Sequence, residues 1–196
     1  MNKNRVLLPA LFLLAFSTFA CTQVQKPTII SKEEWGGNPP SGTKEIQEIE
    51  YITIHHGGVD EPEDMDPIAY LKNLERFSKE DKDWIDNPYH YMIDLNGGIY
   101  EGRPLEFAGD TNTEYDPDGH ALICVIGNYE NQTIKPSQLE ALATLTAWLA
   151  DEYEVPTSKI ATHKDHSSGT VCPGKNLYKY FEDGSFIKNV EEKLNN

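Results

Sequence analysis

The chain has 196 residues, with 32 acidic against 17 basic side chains and a formal net charge of −15. That balance argues against nucleic acid as a partner, because phosphates would be repelled. The length suits one compact domain with a real core rather than two, and three cysteines do not make a disulfide framework.

Lys3 and Arg5 open the chain, and Val6 to Ala20 follow without a charge. This reads as an export leader, too short for a membrane-spanning helix and without a polar face. Ala20 before Cys21 fits a lipoprotein signal, cut ahead of a cysteine that is then acylated, although Thr18 stands where leucine is usual. The expected organisation is a signal over residues 1–20, a lipid anchor at Cys21, a tether over 21–27 and one domain over 28–196. The expected place is a bacterial cell envelope, on a membrane, facing the periplasm or the cell surface. Losing Lys3 and Arg5 with the leader moves the net charge from −15 to −17.

Glu45 to His55 carries the first strand signal, with Tyr51-Ile52-Thr53-Ile54 apolar enough to be buried. Asp66-Pro67 predicts a helix start, Asp66 as the cap and Pro67 in the first helical position. Ile68, Leu71, Leu74 and Phe77 then recur on one helical face. Ser78 to Asn87 is polar and charged and predicts a surface connection. Pro88 to Leu95 alternates as a strand, Asn96-Gly97-Gly98 is a hairpin turn, and Ile99 to Arg103 returns as the partner strand. Gly109 to Gly119 reads as a long loop and Ala121 to Gly127 as a buried strand. Pro136 opens a long helix with Leu139, Leu142, Leu145 and Leu149 inward, ending before Pro156. Ile160 to Thr162 reads as a short strand, and Phe186, Val190 and Leu194 as a closing helix. Strands interleaved with helices predict a single α/β domain, a central mixed β-sheet flanked by α-helices. The expected state is a monomer.

His55 ends the first strand, while His163 and Cys172 lie in a polar, Gly/Pro-punctuated stretch far downstream. Two neutral imidazoles and a thiolate suit zinc, and three protein ligands leave a fourth position open, as catalytic rather than structural sites do. Cys124 sits in an apolar run and is expected to be a core thiol. A Cys124–Cys172 disulfide is the competing arrangement in an oxidising compartment, but it leaves the histidines unexplained. His56 points away from His55 if the strand continues. His90 is expected in the core and His120 in solvent on a loop. His166, three residues after His163, competes as a ligand. Glu101 is expected to pair with Arg103 or to meet backbone. Alternation puts Tyr89 and Tyr91 on one strand face and His90 on the other.

Several ordered blocks carry a resemblance: Ser31-Lys32-Glu33-Glu34-Trp35-Gly36, Ile54-His55-His56-Gly57, Pro88-Tyr89-His90-Tyr91-Met92-Ile93-Asp94, Gly98-Ile99-Tyr100-Glu101-Gly102-Arg103-Pro104, Ile126-Gly127-Asn128-Tyr129, His163-Lys164-Asp165 and Thr170-Val171-Cys172-Pro173-Gly174. Together they resemble the zinc-dependent N-acetylmuramoyl-L-alanine amidases of the phage lysozyme and peptidoglycan-recognition-protein superfamily. The resemblance covers about Ser31 to Tyr180. It implies that residues 28–196 form a zinc amidase domain holding one ion on His55, His163 and Cys172. The implied reaction cuts the amide between N-acetylmuramic acid and L-alanine in peptidoglycan or muropeptides. The resemblance also gives Tyr89 a place beside the metal and Thr170 a place near the developing oxyanion. An apolar residue is usual at the position of His166, which implies a substrate-contacting or solvated role there. Many relatives carry a histidine where this chain has Asp110, and a carboxylate cannot donate a hydrogen bond at neutral pH. His120 and the Thr111–Gly119 loop are candidates for the missing substrate contact. The alternative is a recognition module of the same fold that binds peptidoglycan without cutting it; such modules commonly lose the cysteine ligand.

Overall fold

The computed structural model describes residues 23–196. The expected leader and lipid-bearing Cys21 lie outside the described residues. Five strands form one mixed sheet: β1 (Tyr51–His56), β2 (Tyr91–Ile93), β3 (Ile99–Glu101), β4 (His120–Val125) and β5 (Ile160–Thr162). Their spatial order is β3-β2-β4-β1-β5. β1 is parallel to β4 and β5, β2 is parallel to β4, and β3 alone runs antiparallel. The parallel strands therefore end at one edge, where open α/β sheets carry their ligand sites. The α/β class with a mixed sheet is as predicted.

β1 and β4 are central and covered on both faces, which explains their near-continuous apolar reading. Ile52, Ile54, Ala121, Ile123 and Val125 enter the main core. Helix α2 (Pro136–Glu152) covers them with Leu142, Leu145 and Leu149, all fully buried, and α5 (Ser185–Leu194) adds Phe186 and Val190. Each such side chain stabilises the fold by roughly 1.5–3 kcal/mol. The hairpin turn is held by Asp94, whose Oδ1 accepts from Asn96 N at 2.8 Å and Gly98 N at 2.9 Å. Gly97 adopts φ 90° there, and a Cβ would lie 2.7 Å from the Ser137 carbonyl oxygen.

Helix α1 (Pro67–Glu80) starts as predicted, with Asp66 Oδ1 accepting from Ile68 N at 2.9 Å. Its end does not follow the prediction. The predicted surface connection from Ser78 begins inside the helix, and Ser78, Asp86 and Asn87 are fully buried. The reason is an ion pair supplied from far away in sequence: Lys32 Nζ bonds Asp86 and lies 3.8 Å from Glu75. Arg103 adds a bond to the Asp86 carbonyl oxygen at 3.0 Å. Paired charges can be buried where lone ones cannot. Three short elements went unread: a 3-10 turn at Thr157–Lys159, the single turn α3 (His163–His166) and α4 (Lys175–Glu182). No helix among the described residues is long and apolar enough to cross a membrane.

Candidate metal centre

The last register pair between β1 and β5 is Ile54 with Thr162. One residue further, His55 and His163 stand side by side, ring centroids 4.6 Å apart. Thr162 ends β5, and both its N–H and its hydroxyl donate to Asp165, at 2.8 and 2.7 Å. This turns the chain into α3 at His163 and gives Asp165 a physical task. Lys164 N bonds the Cys172 carbonyl oxygen at 2.8 Å, bringing the cysteine loop back over the histidines. Gly174 closes that loop at φ 85°; a Cβ there would lie 2.3 Å from the Tyr129 backbone.

The ligand atoms of His55, His163 and Cys172 all lie within 4.8 Å of one another, the one such group among the described residues. Cys172 Sγ is 3.7 Å from His55 Nδ1. Tetrahedral zinc, with bonds of about 2.0 Å to nitrogen and 2.3 Å to sulfur, separates such a pair by roughly 3.5 Å. Burial, then the neighbouring histidines, pushes the His55 pKa well down, and burial lowers His163 to about 4. Both rings are therefore neutral at neutral pH, as ligands must be. Burial pushes the Cys172 thiol up to about 12, against a bond to Sγ from His56 N at 3.3 Å. A bound cation is the charge that would favour the thiolate here. The donor set and spacing fit zinc, and the two neutral rings are in the ligating state. No fourth protein ligand joins the group among the described residues.

The group opens into a cleft of about 340 Å³, also lined by Tyr89, Asp110, Thr111, Thr113 and Thr170. Tyr89 lies 5.2 Å from His55 between ring centroids. Burial, helped by the Cys124 and Cys172 sulfurs, raises its phenol well above the ordinary value. The sequence alternation fails here. Tyr91 packs edge-on against Trp148 in the main core at 6.3 Å, while Tyr89 faces the cleft. The regular strand begins only at Tyr91, so Tyr89 and Tyr91 do not share a face. Between them His90 is locked in the core: Nδ1 accepts from Leu122 N at 2.8 Å, so Nε2 carries the proton donated to the Phe107 carbonyl at 2.9 Å. Thr170 Oγ1 accepts from Cys172 N at 3.1 Å, which leaves its hydroxyl hydrogen available.

Residues 45–175 match the family described as N-acetylmuramoyl-L-alanine amidase. The chain belongs to that family. Among curated relatives of this amidase-family chain, peptidoglycan-recognition protein SC2 of Drosophila simulans is 29% identical over 180 residues, 90% of this chain and 93% of the relative. The crystal structure of Drosophila peptidoglycan recognition protein SD aligns with a TM-score of 0.70 at 27% identity, covering 80% of this chain and 94% of that one. The N-acetylmuramoyl-L-alanine amidase LysC of Clostridium intestinale shares the fold, with a TM-score of 0.68 at 24% identity over 87% of this chain and 99% of that one.

Against that family background Asp110 has its own use. It pairs with the fully buried Arg103 and with Lys44 at 2.6 Å, so it orders the loop from beneath. Glu101 does not pair with Arg103 but accepts from Lys32 N at 3.0 Å. Cys124 and Cys172 are both free, so the competing disulfide is absent. His56 Nδ1 accepts from Tyr129 N at 3.1 Å, away from the ligand group. His120 corrects its prediction: it is buried at the start of β4, its Nδ1 2.7 Å from Thr53 Oγ1. His166 stays outside the ligand group, with Nε2 3.2 Å from the same hydroxyl. Sequence reasoning missed Thr113 and Tyr115, whose hydroxyls reach His163 Nε2 at 2.7 Å and His55 Nε2 at 3.2 Å. The signal was present as an alternation, Thr111, Thr113 and Tyr115 between Asn112, Glu114 and Asp116.

Proposed function

We propose that this chain hydrolyses the amide between N-acetylmuramic acid and L-alanine in peptidoglycan or muropeptides, using one zinc ion held by His55, His163 and Cys172. The observation that carries this reading is the convergence of those ligand atoms within 4.8 Å, on a cleft that adds no further protein ligand. Membership of the amidase family supports the substrate. A zinc ion held there would supply a Lewis acid for the scissile carbonyl and a lowered pKa for water. The side chains do the rest. His55 and His163 stay neutral, and the His56 N–H steadies the sulfur. Tyr89 keeps its proton because its pKa is raised, so it can donate to the amide oxygen as that oxygen gains charge. Thr170 is placed to donate a second, weaker bond, without the positive charge a lysine would bring.

The relatives' names favour a second reading, in which the cleft grips peptidoglycan without cutting it. Mass spectrometry of wall fragments, incubated with the protein with and without chelator, separates the two. The enzyme reading expects free stem peptides beginning with L-alanine, and their loss on chelation. Intact fragments retained by the protein would establish the binding module instead, and turnover undiminished by complete zinc removal would overturn the metal mechanism. The leader and Cys21 support placement on a membrane of the cell envelope. On that reading Cys21→Ala should release the protein from membrane fractions.

A further inference from the structure

We infer that the segment between β3 and β4 is a clamp on the metal ligands, with Thr113 and Tyr115 as positioning residues that hold the outer nitrogens of both histidines. The inference rests on the zinc reading above. The segment belongs to no sheet and bends through residues 112–115, yet its burial alternates: residues 111, 113, 115 and 117 are half-buried, while 112, 114, 116 and 118 are exposed. That period of two sends alternate side chains inward. Thr113 Oγ1 lies 2.7 Å from His163 Nε2, and Tyr115 Oη lies 3.2 Å from His55 Nε2. Thr111 backs Thr113, hydroxyl to hydroxyl at 2.9 Å.

A neutral imidazole has one N–H and one lone pair, and a hydroxyl oxygen accepting at Nε2 places the lone pair on Nδ1. His55 Nδ1 is the nitrogen nearest the Cys172 sulfur, at 3.7 Å. Two residues of one strap thus select the metal-binding tautomer of two ligands, His55 near the end of β1 and His163 at the start of α3. The strap is itself pinned from outside. Lys82 Nζ bonds Asn112 Oδ1 at 2.9 Å, and Ser167 Oγ bonds Glu114 Oε2 at 3.0 Å.

The same geometry gives the two remaining histidines of this face a task. The Tyr115 ring stacks on His166, centroids 5.5 Å apart and 21° between planes, and meets His120 edge-on at 5.5 Å. His120 and His166 share the Thr53 hydroxyl, at 2.7 and 3.2 Å. They form the bed that aims the Tyr115 hydroxyl at His55. Hydrogen-bonding partners of this kind typically carry 10- to 100-fold of metal affinity, as an order of magnitude.

The test compares the wild type with Thr113→Val, Tyr115→Phe and the double variant. Zinc affinity is read by competition with a chromophoric chelator, and imidazole tautomers by nitrogen NMR of the zinc-loaded protein. Each single change should weaken zinc binding about tenfold and the pair about a hundredfold, with the melting temperature of the metal-free protein unchanged. Thr113→Ser keeps a hydroxyl and should restore most of the affinity. The clamp is overturned if wild type binds zinc and the double variant binds it as tightly, if the loaded rings carry their protons on Nδ1, or if the metal-free fold loses stability in step with affinity. A wild type that takes up no zinc overturns the metal reading itself, and the clamp with it.

Discussion

Ile54 and His55 are neighbours on β1, 0% and 2% exposed, and they belong to different kinds of interior. Ile52 and Ile54 point into an apolar core closed by α2 and α5. Thr53 and His55 point to the other face, where Thr53, His120, Tyr115, His55 and Cys172 meet one another through hydrogen-bonding groups. Burial alone therefore does not distinguish the faces; the partners do. The apolar face is stabilised by area removed from water. The polar face is tolerable only because its groups satisfy one another, and they converge on a place where an ion fits. The two buried cysteines repeat the lesson. Cys124 lies beside Met92 and Ile126 in a small apolar cluster, while Cys172 lies with the two imidazoles.

The largest effect that would separate the faces is loss of a ligand. Cys172→Ser should abolish hydrolysis of muropeptide while the circular dichroism spectrum stays that of the wild type; retained turnover would break the comparison. Tyr89→Phe should lower kcat by about ten- to a thousandfold, the range for removing an oxyanion donor, with zinc content unchanged. An unaltered rate would make Tyr89 a packing residue. On the other face, Leu142→Ala should destabilise folding by about 2–5 kcal/mol and leave zinc stoichiometry intact, as read by denaturant titration beside metal analysis.

Acid should act on the buried His90. Burial holds His90 at about 4 in the fold, against an ordinary value near 6.5. The folded value is depressed, so the stability that this group contributes is full above about pH 6.5 and is lost as pH falls towards 4. The denaturant midpoint of the metal-free protein should drop between pH 7 and pH 5, and a flat profile would contradict the neutral His90. The smallest effect is expected at Cys124→Ala: about 1 kcal/mol of stability, and wild-type zinc affinity. A loss of zinc binding there would erase the distinction between the two sulfurs.

Periodicity and punctuation made much of the frame legible. Asp66-Pro67, Asn96-Gly97-Gly98 and Pro136 each act on residues within a few positions, so their effects are local and readable. The ordered blocks pointed to His55, His163 and Cys172 before any fold was in hand. The misreadings share a cause, distant partners. Ser78 to Asn87 looked solvated because Lys32 and Arg103, which bury Asp86, lie far away in sequence. His120 looked solvated because Thr53, across the sheet, was not visible as its partner. Contrary to alternation, Tyr89 does not share the face of Tyr91, because a period of two holds only while the backbone stays regular.

The sequence by itself determined the starts of α1 and α2, the hairpin turn, the leucine face of α2, and a set of residues with the donor chemistry of a metal site, since propensity, capping and donor type are properties of short stretches of chain. Only the tertiary structure decided which face each side chain of β1 serves, that Cys124 stays outside the ligand group, and that one strap holds both histidines from behind. Those outcomes depend on distances between residues far apart in the chain, which are set when β1, β4 and β5 align and their ends come together at one edge.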